Sequence, residues 1–289
     1  MDFRRVKAIL LIVFLLLNAF LAVQLWVLHS AISVYAEPQS DQLANAKSAL
    51  LMDHVRVDAP IPASPEEPLS MLRVTPSPVS LRAYADIVLP VRSAAPPRLV
   101  KGRWQIDTPY GSVRQLERGS FSVTFAPSHA GLGRIPVRPA HFFSDLKRWF
   151  SKHGYNFHDY ETLSSWSAHG VHEETFVQQY QGYPLFGAHL EIQVKGGWLY
   201  GFTQTVLVVR GAQPPRAINT AANALLSLAS FLDRAKINVD NTIVGIQLGY
   251  GSGITSDTEW YLAPMWRVAS RLGIFYINAF TGEVGVGKE

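Results

Sequence analysis

The apolar positions fall into one unbroken run followed by short, periodic ones. From Ala8 to Leu28 no residue is charged, and only Asn18 and Gln24 are strongly polar. As a helix rising ~1.5 Å per residue, this run spans roughly 30 Å, the thickness of a bilayer's hydrocarbon core. Lipid offers a backbone no hydrogen-bond partners, so a spanning segment is expected to be helical. Arg4, Arg5 and Lys7 stand in front of it. Cations favour the cytoplasmic side, which puts the N-terminus inside and the C-terminal portion outside. A cleaved secretory signal is the alternative, with Val34 and Ala36 as the small residues of a cleavage site. The apolar core of such a signal is about 7–15 residues, so the longer run predicts a retained anchor. Both readings place residues 37–289 outside the cytoplasm. Within the anchor, Asn18 and Ala22 lie one turn apart on the stripe of Leu11, Leu15 and Leu25, and Ala19 widens it. Small residues permit close helix approach and a buried amide can bond across, which makes Asn18, Ala19 and Ala22 a candidate helix–helix interface.

After the anchor the periods shorten. Ser40 or Asp41 is placed to cap a helix carrying Leu43, Ala46, Leu50 and Leu51 and ending near Asp53–His54. Four prolines between Ala59 and Pro68 predict an extended loop. Leu69–Val74, Ala83–Leu89 and Leu99–Ile106 are expected strands, and Ser112–Glu117 with Ser120–Ala126 a hairpin around Arg118–Gly119. The Gly- and Pro-rich stretch Ala130–Pro139 marks a boundary. Beyond it, Phe142, Phe143, Leu146, Trp149 and Phe150 recur at helical spacing over Pro139–His153, with Gly154 behind them. Tyr155–Trp166 and Glu174–Gln181 are expected strands. Ala188–Val194 should turn at Lys195–Gly196–Gly197 and return as Trp198–Val209. Asn219 or Thr220 caps a helix to about Asp233, with Ala221, Leu225, Leu228 and Leu232 on one stripe. Thr242–Tyr250, Glu259–Ala269 and Ile274–Ala279 complete the strands, with Gly251–Ser252–Gly253 as a loop. Each half opens with a helix and continues as antiparallel strands. The predicted class is therefore α+β: one N-terminal transmembrane helix followed by two sheet-plus-helix modules. The expected divisions are 1–34, 35–135 and 136–289.

Composition narrows the chemistry. There is no cysteine, which removes disulfides, thiolate zinc sites and a cysteine nucleophile. The net charge is +4, and three cations belong to the N-terminal flank, so the rest is near balance and no nucleic-acid surface is indicated. A pI of 9.3 is compatible with attraction to anionic polymer or lipid. His169 and His172, with Glu173 and Glu174 beside them, have metal-ligand spacing, but on a strand this spacing points the rings to opposite faces. Gly249–Tyr250–Gly251–Ser252–Gly253 lacks the Gly-Lys-Ser/Thr ending and the following helix of a phosphate loop. No Gly-x-Ser-x-Gly elbow is present. No cofactor, metal or small-molecule substrate is expected, and no catalysis. Trp260, Leu262 and Pro264 form a candidate partner contact, because a proline inside a strand argues for an edge and an edge accepts another chain.

Three segments carry a resemblance. Met1-Asp-Phe-Arg-Arg-Val-Lys7 runs straight into the anchor. Gly182-Tyr-Pro-Leu-Phe186 precedes Trp198 and Thr203-Gln-Thr205. Pro264-Met-Trp-Arg-Val268 precedes Phe275-Tyr-Ile-Asn-Ala-Phe-Thr-Gly-Glu-Val284. In these stretches the chain resembles the YycI family over residues 1–30 and about 175–286. The resemblance implies a single-pass protein of a Gram-positive cell membrane, with a cytoplasmic N-terminus and an extracellular α+β domain whose tail is PepSY-like. It implies a non-enzymatic regulator acting with a YycH-type protein on the sensor histidine kinase YycG/WalK, which governs cell-wall metabolism. An extracytoplasmic binding or peptidase-inhibitor module, merely tethered to the membrane, is the alternative. The family brings no catalytic residues. Asn278 and Gly282 suit a turn after a buried strand, since Gly282 tolerates positive φ.

Overall fold

The structure is a computed structural model. It describes residues 39–126 and 160–287, apart from 64, 66, 90–95, 238 and 256–259. It also describes Phe14, Leu17, Asn18, Phe20, Leu21, Ser144, Arg148 and Ser151. The element order begins α1 (Gln39–Met52), β1 (Val55–Val57), β2 (Leu72–Pro76), α2 (Leu81–Val88), β3 (Arg98–Val100), β4 (Arg103–Thr108), β5 (Gly111–Glu117) and β6 (Ser120–Phe125). It continues β7 (Tyr160–Ala168), β8 (Val171–Tyr180), β9 (Tyr183–Lys195), β10 (Trp198–Thr205) and β11 (Leu207–Ala212). Last come α3 (Ala221–Ala235), β12 (Asn241–Thr255), β13 (Trp260–Ser270), β14 (Gly273–Asn278) and β15 (Val284–Val286). The described chain is thus mixed α+β and mostly sheet.

The strands join in one order, β11-β2-β13-β12-β9-β10-β6-β5-β4-β3, with β14 and β15 beyond β13 and β8 and β7 beyond β9. Two helix-covered regions result. In the first, α2 lays Leu81, Tyr84, Ala85 and Val88 on Ile106, Phe121, Ile192 and Phe202 of the sheet. Tyr84 stacks on Phe121 at 4.1 Å between ring centroids. Its hydroxyl donates to Gln204 Oε1 at 2.7 Å, and Gln204 Nε2 donates to the Tyr160 hydroxyl at 3.0 Å. That relay keeps the buried amide satisfied, as a low-dielectric interior requires. In the second region, α1 and α3 pack together over Trp266, Val268, Phe275 and Ile277. The regions meet where β12 runs parallel to β9 at Tyr250 and Leu185. Burial beside Tyr183 and Tyr180 pushes the Tyr250 hydroxyl up to about 12.

Strand pairing crosses residue 135. β2 pairs with β11 and β13, while β6 pairs with β10. A division at 135 therefore separates stretches of chain rather than sheets.

Four element expectations are corrected. Leu99–Ile106 is not one strand but part of the β3–β4 hairpin, which turns at Lys101 and Gly102 with φ 49 and 75. Trp198–Val209 divides at Val206 into β10 and β11, which pair with different neighbours. Ala83–Leu89 is helical, not a strand: the Ser80 hydroxyl accepts the Ala83 N–H at 3.2 Å as N-cap, and the apolar residues then fall at helical spacing. Gly251–Ser252–Gly253 is the continuation of β12, not a loop. Glycine is needed there for close approach. A Cβ on Gly249 would lie 2.5 Å from the Pro184 carbonyl oxygen, and one on Gly251 2.7 Å from Met265 Sδ. Other expectations hold. Thr220 caps α3, accepting the Asn223 N–H at 3.2 Å, and Lys236 closes it in the left-handed conformation. The β5–β6 hairpin turns at Gly119 with φ +74. The expected helix at 139–153 falls mainly outside the described residues; Ser144, Arg148 and Ser151 are helical.

Candidate functional site

The residues foreseen for partner contact at 260–264 present no open edge. Trp260 and Leu262 pair with Val74 and Leu72 of β2 on one side, and with Thr255 and Ser252 of β12 on the other. Leu262 is buried in a cluster with Leu72, Leu185, Leu207 and Tyr250. Pro264 stands where β13 exchanges β2 for β14 as neighbour. Its carbonyl accepts the Ala279 N–H at 2.8 Å. A residue without an N–H costs the ladder least at such a changeover.

In the N-terminal segment, Arg4, Arg5, Lys7, Ala19 and Ala22 lie outside the described residues. Asn18 is helical and exposed, and its Nδ2 donates to the Phe14 carbonyl at 2.9 Å. Phe14, Leu17, Phe20 and Leu21 are exposed around it. Among the described residues no helix is long and apolar enough to cross a membrane. His169 sits in the β7–β8 turn with φ 51, while His172 shares a hydrogen bond with Ser167 and lies 3.5 Å from Glu174. Among the described residues no group of three metal-ligating side chains forms.

The geometry instead draws together segments that sequence reading treated apart. On β13 and β14, alternate residues face the helices: Trp266, Val268, Phe275 and Ile277. The other face carries Met265 and Arg267, paired in register with Asn278 and Tyr276. There a pocket of ≈ 480 Å³ opens, walled by Phe186, Met265, Tyr276, Asn278, Glu283 and Val286. The Phe186 and Tyr276 rings lie 5.4 Å apart. The turn after β14 frames one end. Asn278 Oδ1 accepts the N–H groups of Phe280 and Thr281, and Gly282 at φ +74 returns its N–H to the Asn278 carbonyl. A Cβ at Gly282 would fall 2.9 Å from Ser227 Oγ of α3, so glycine also keeps the turn against the helix. The signal for this site was present in the sequence as two motifs, 182–186 and 264–284, but spacing alone does not show that they converge.

A family model described as YycI protein matches residues 141–280. Over these residues the chain is similar to the YycI family. The YycI family is regulatory and non-catalytic. It suggests an accessory role in a two-component system, and a membrane-associated protein with an extracellular domain. No curated protein matches the chain. A crystal structure of an uncharacterized protein from Eubacterium rectale is similar in fold, with a TM-score of 0.56 and 11% identity over 87% of this chain and 99% of that one. The Bacillus megaterium YpeB C-terminal domain aligns with a TM-score of 0.35 and 12% identity over 72% of this chain and 96% of that one.

Proposed function

We propose that the protein is a membrane-anchored, non-enzymatic accessory that binds and modulates a sensor histidine kinase of the YycG/WalK type, together with a YycH-type partner. The YycI match over residues 141–280 is the observation that carries this reading. The uncharged run from Ala8 to Leu28 behind Arg4, Arg5 and Lys7 supports the anchor and its orientation. A division into residues 1–34, 35–135 and 136–289, the last PepSY-like, belongs to the same reading and rests on the family resemblance. Regulation then needs no chemistry. A ligand or contact outside biases the kinase between two states, through helices packed at Asn18, Ala19 and Ala22, by as much as it binds one state better than the other. In this helix the Asn18 amide is satisfied internally, so a partner must compete with the Phe14 carbonyl for it.

Purification from mild detergent tests the reading. Tagged full-length protein should bring down the kinase and the YycH-type protein. Recovery of neither from membranes that contain both would refute it.

A further inference from the structure

We propose that the pocket on the outer face of β13 and β14 receives a side chain from an extended peptide that adds to β15. Four observations bear on this, none of which depends on the kinase reading.

First, β15 is an edge. Among the described residues it pairs with β14 alone, through Phe275–Val286, Tyr276–Gly285 and Ile277–Val284. The Gly287 N–H donates to the Ile274 carbonyl and the Asn278 N–H to the Glu283 carbonyl. Antiparallel alternation therefore turns the amides of residues 285 and 287 inward and those of Val284 and Val286 outward. Val286 is 62% exposed. Second, the pocket adjoins this edge. A residue paired opposite Gly285 in an added strand would point its side chain to the same face as Tyr276. Gly285 has no side chain to block it. Third, the lining suits an apolar group: the rings of Phe186 and Tyr276 and the thioether of Met265 surround the space. At ≈ 480 Å³ it lies in the range of ligand pockets. Fourth, Glu283 at the rim favours a flanking cation. In the row of Tyr276 and Gly285, Arg267 has a buried Nε with no hydrogen-bond partner among the described residues.

The ligand class is thus an extended peptide with an aromatic or long aliphatic residue and a basic residue beside it. Main-chain bonds to Val284 and Val286 supply affinity, and the pocket selects the side chain.

Two substitutions isolate these parts. Gly187 borders the pocket, and a Cβ there would meet nothing within 4 Å, so Gly187→Leu adds bulk at the pocket wall with room for its Cβ. Val286→Pro removes an outward N–H and leaves the inward ladder to β14 intact. The probe is a fluorescein-labelled, capped peptide, Lys-Thr-Val-Phe-Val-Thr-Lys. Its anisotropy is followed against full-length protein in detergent micelles, with empty micelles as blank. Saturable binding is expected, weakened about tenfold or more by either substitution and by replacing the probe's Phe with Asn. Thermal melts of both variants should match the unsubstituted protein. Absence of saturable binding, or equal binding by the Gly187→Leu protein with an unchanged melt, overturns the proposal.

Discussion

The two faces of the β12–β14 sheet differ in what alternation delivers to them. The face under α1 and α3 holds Trp266, Val268, Phe275 and Ile277, all buried, and Trp266 Nε1 donates to the Asn219 carbonyl at 2.9 Å. Trp266 Nε1 is the one polar side-chain atom among these four residues, and its partner is the residue before the α3 cap. The opposite face holds glycines, Met265, Arg267, Tyr276 and Asn278, with a pocket among them. The same few residues of sequence, Pro264–Val268 and Phe275–Val284, supply both. The motif is therefore two interleaved sets: one set packs, and the other lines a cavity. A period of two makes such a division possible within a single strand.

The largest effect expected is on the packing face. Trp266→Ala removes a fully buried ring and its bond to the loop that caps α3. A loss of about 3–5 kcal/mol follows from cavity formation, measured as a lowered midpoint in denaturant. A small loss would mean that α3 is not held by this residue.

A smaller effect tests the joint between the two regions. The Tyr250 hydroxyl titrates at about 12, above the ordinary tyrosine value of ~10, chiefly because it is buried. A raised folded-state value means that its contribution is complete below the unfolded value and is lost as pH climbs through the folded one. Stability should fall between pH ~10 and 12, and Tyr250→Phe should flatten that slope while leaving neutral pH little changed. Equal slopes in the two proteins would remove Tyr250 from the account.

Sequence patterning made much of this visible, for reasons tied to particular residues. Thr220 and the Ala221–Leu232 stripe announce α3, because cap and periodicity agree. Lys195–Gly196–Gly197 and Arg118–Gly119 announce their hairpins, because positive φ is needed there. The short helix α2 escaped, since Leu81 to Val88 gives barely two turns and its apolar residues also fit a strand. Gly251–Ser252–Gly253 suggested a loop because glycine is usually punctuation. Here it admits Pro184, Phe186 and Met265 onto the strand, which only tertiary structure reveals. Pro264 suggested an edge for the same kind of reason. It marks an exchange of neighbours, and β15 is one of the strands that has a single neighbour among the described residues.

Whether the membrane segment is needed for regulation is the question on which the functional account rests most directly. Kinase autophosphorylation in membrane vesicles, with a YycH-type protein present, can be compared for full-length protein and for exported residues 35–289. The account predicts that full-length protein changes the kinase rate and that the anchorless protein, though folded, does not. Full regulation by residues 35–289 alone would contradict it and favour a tethered binding module.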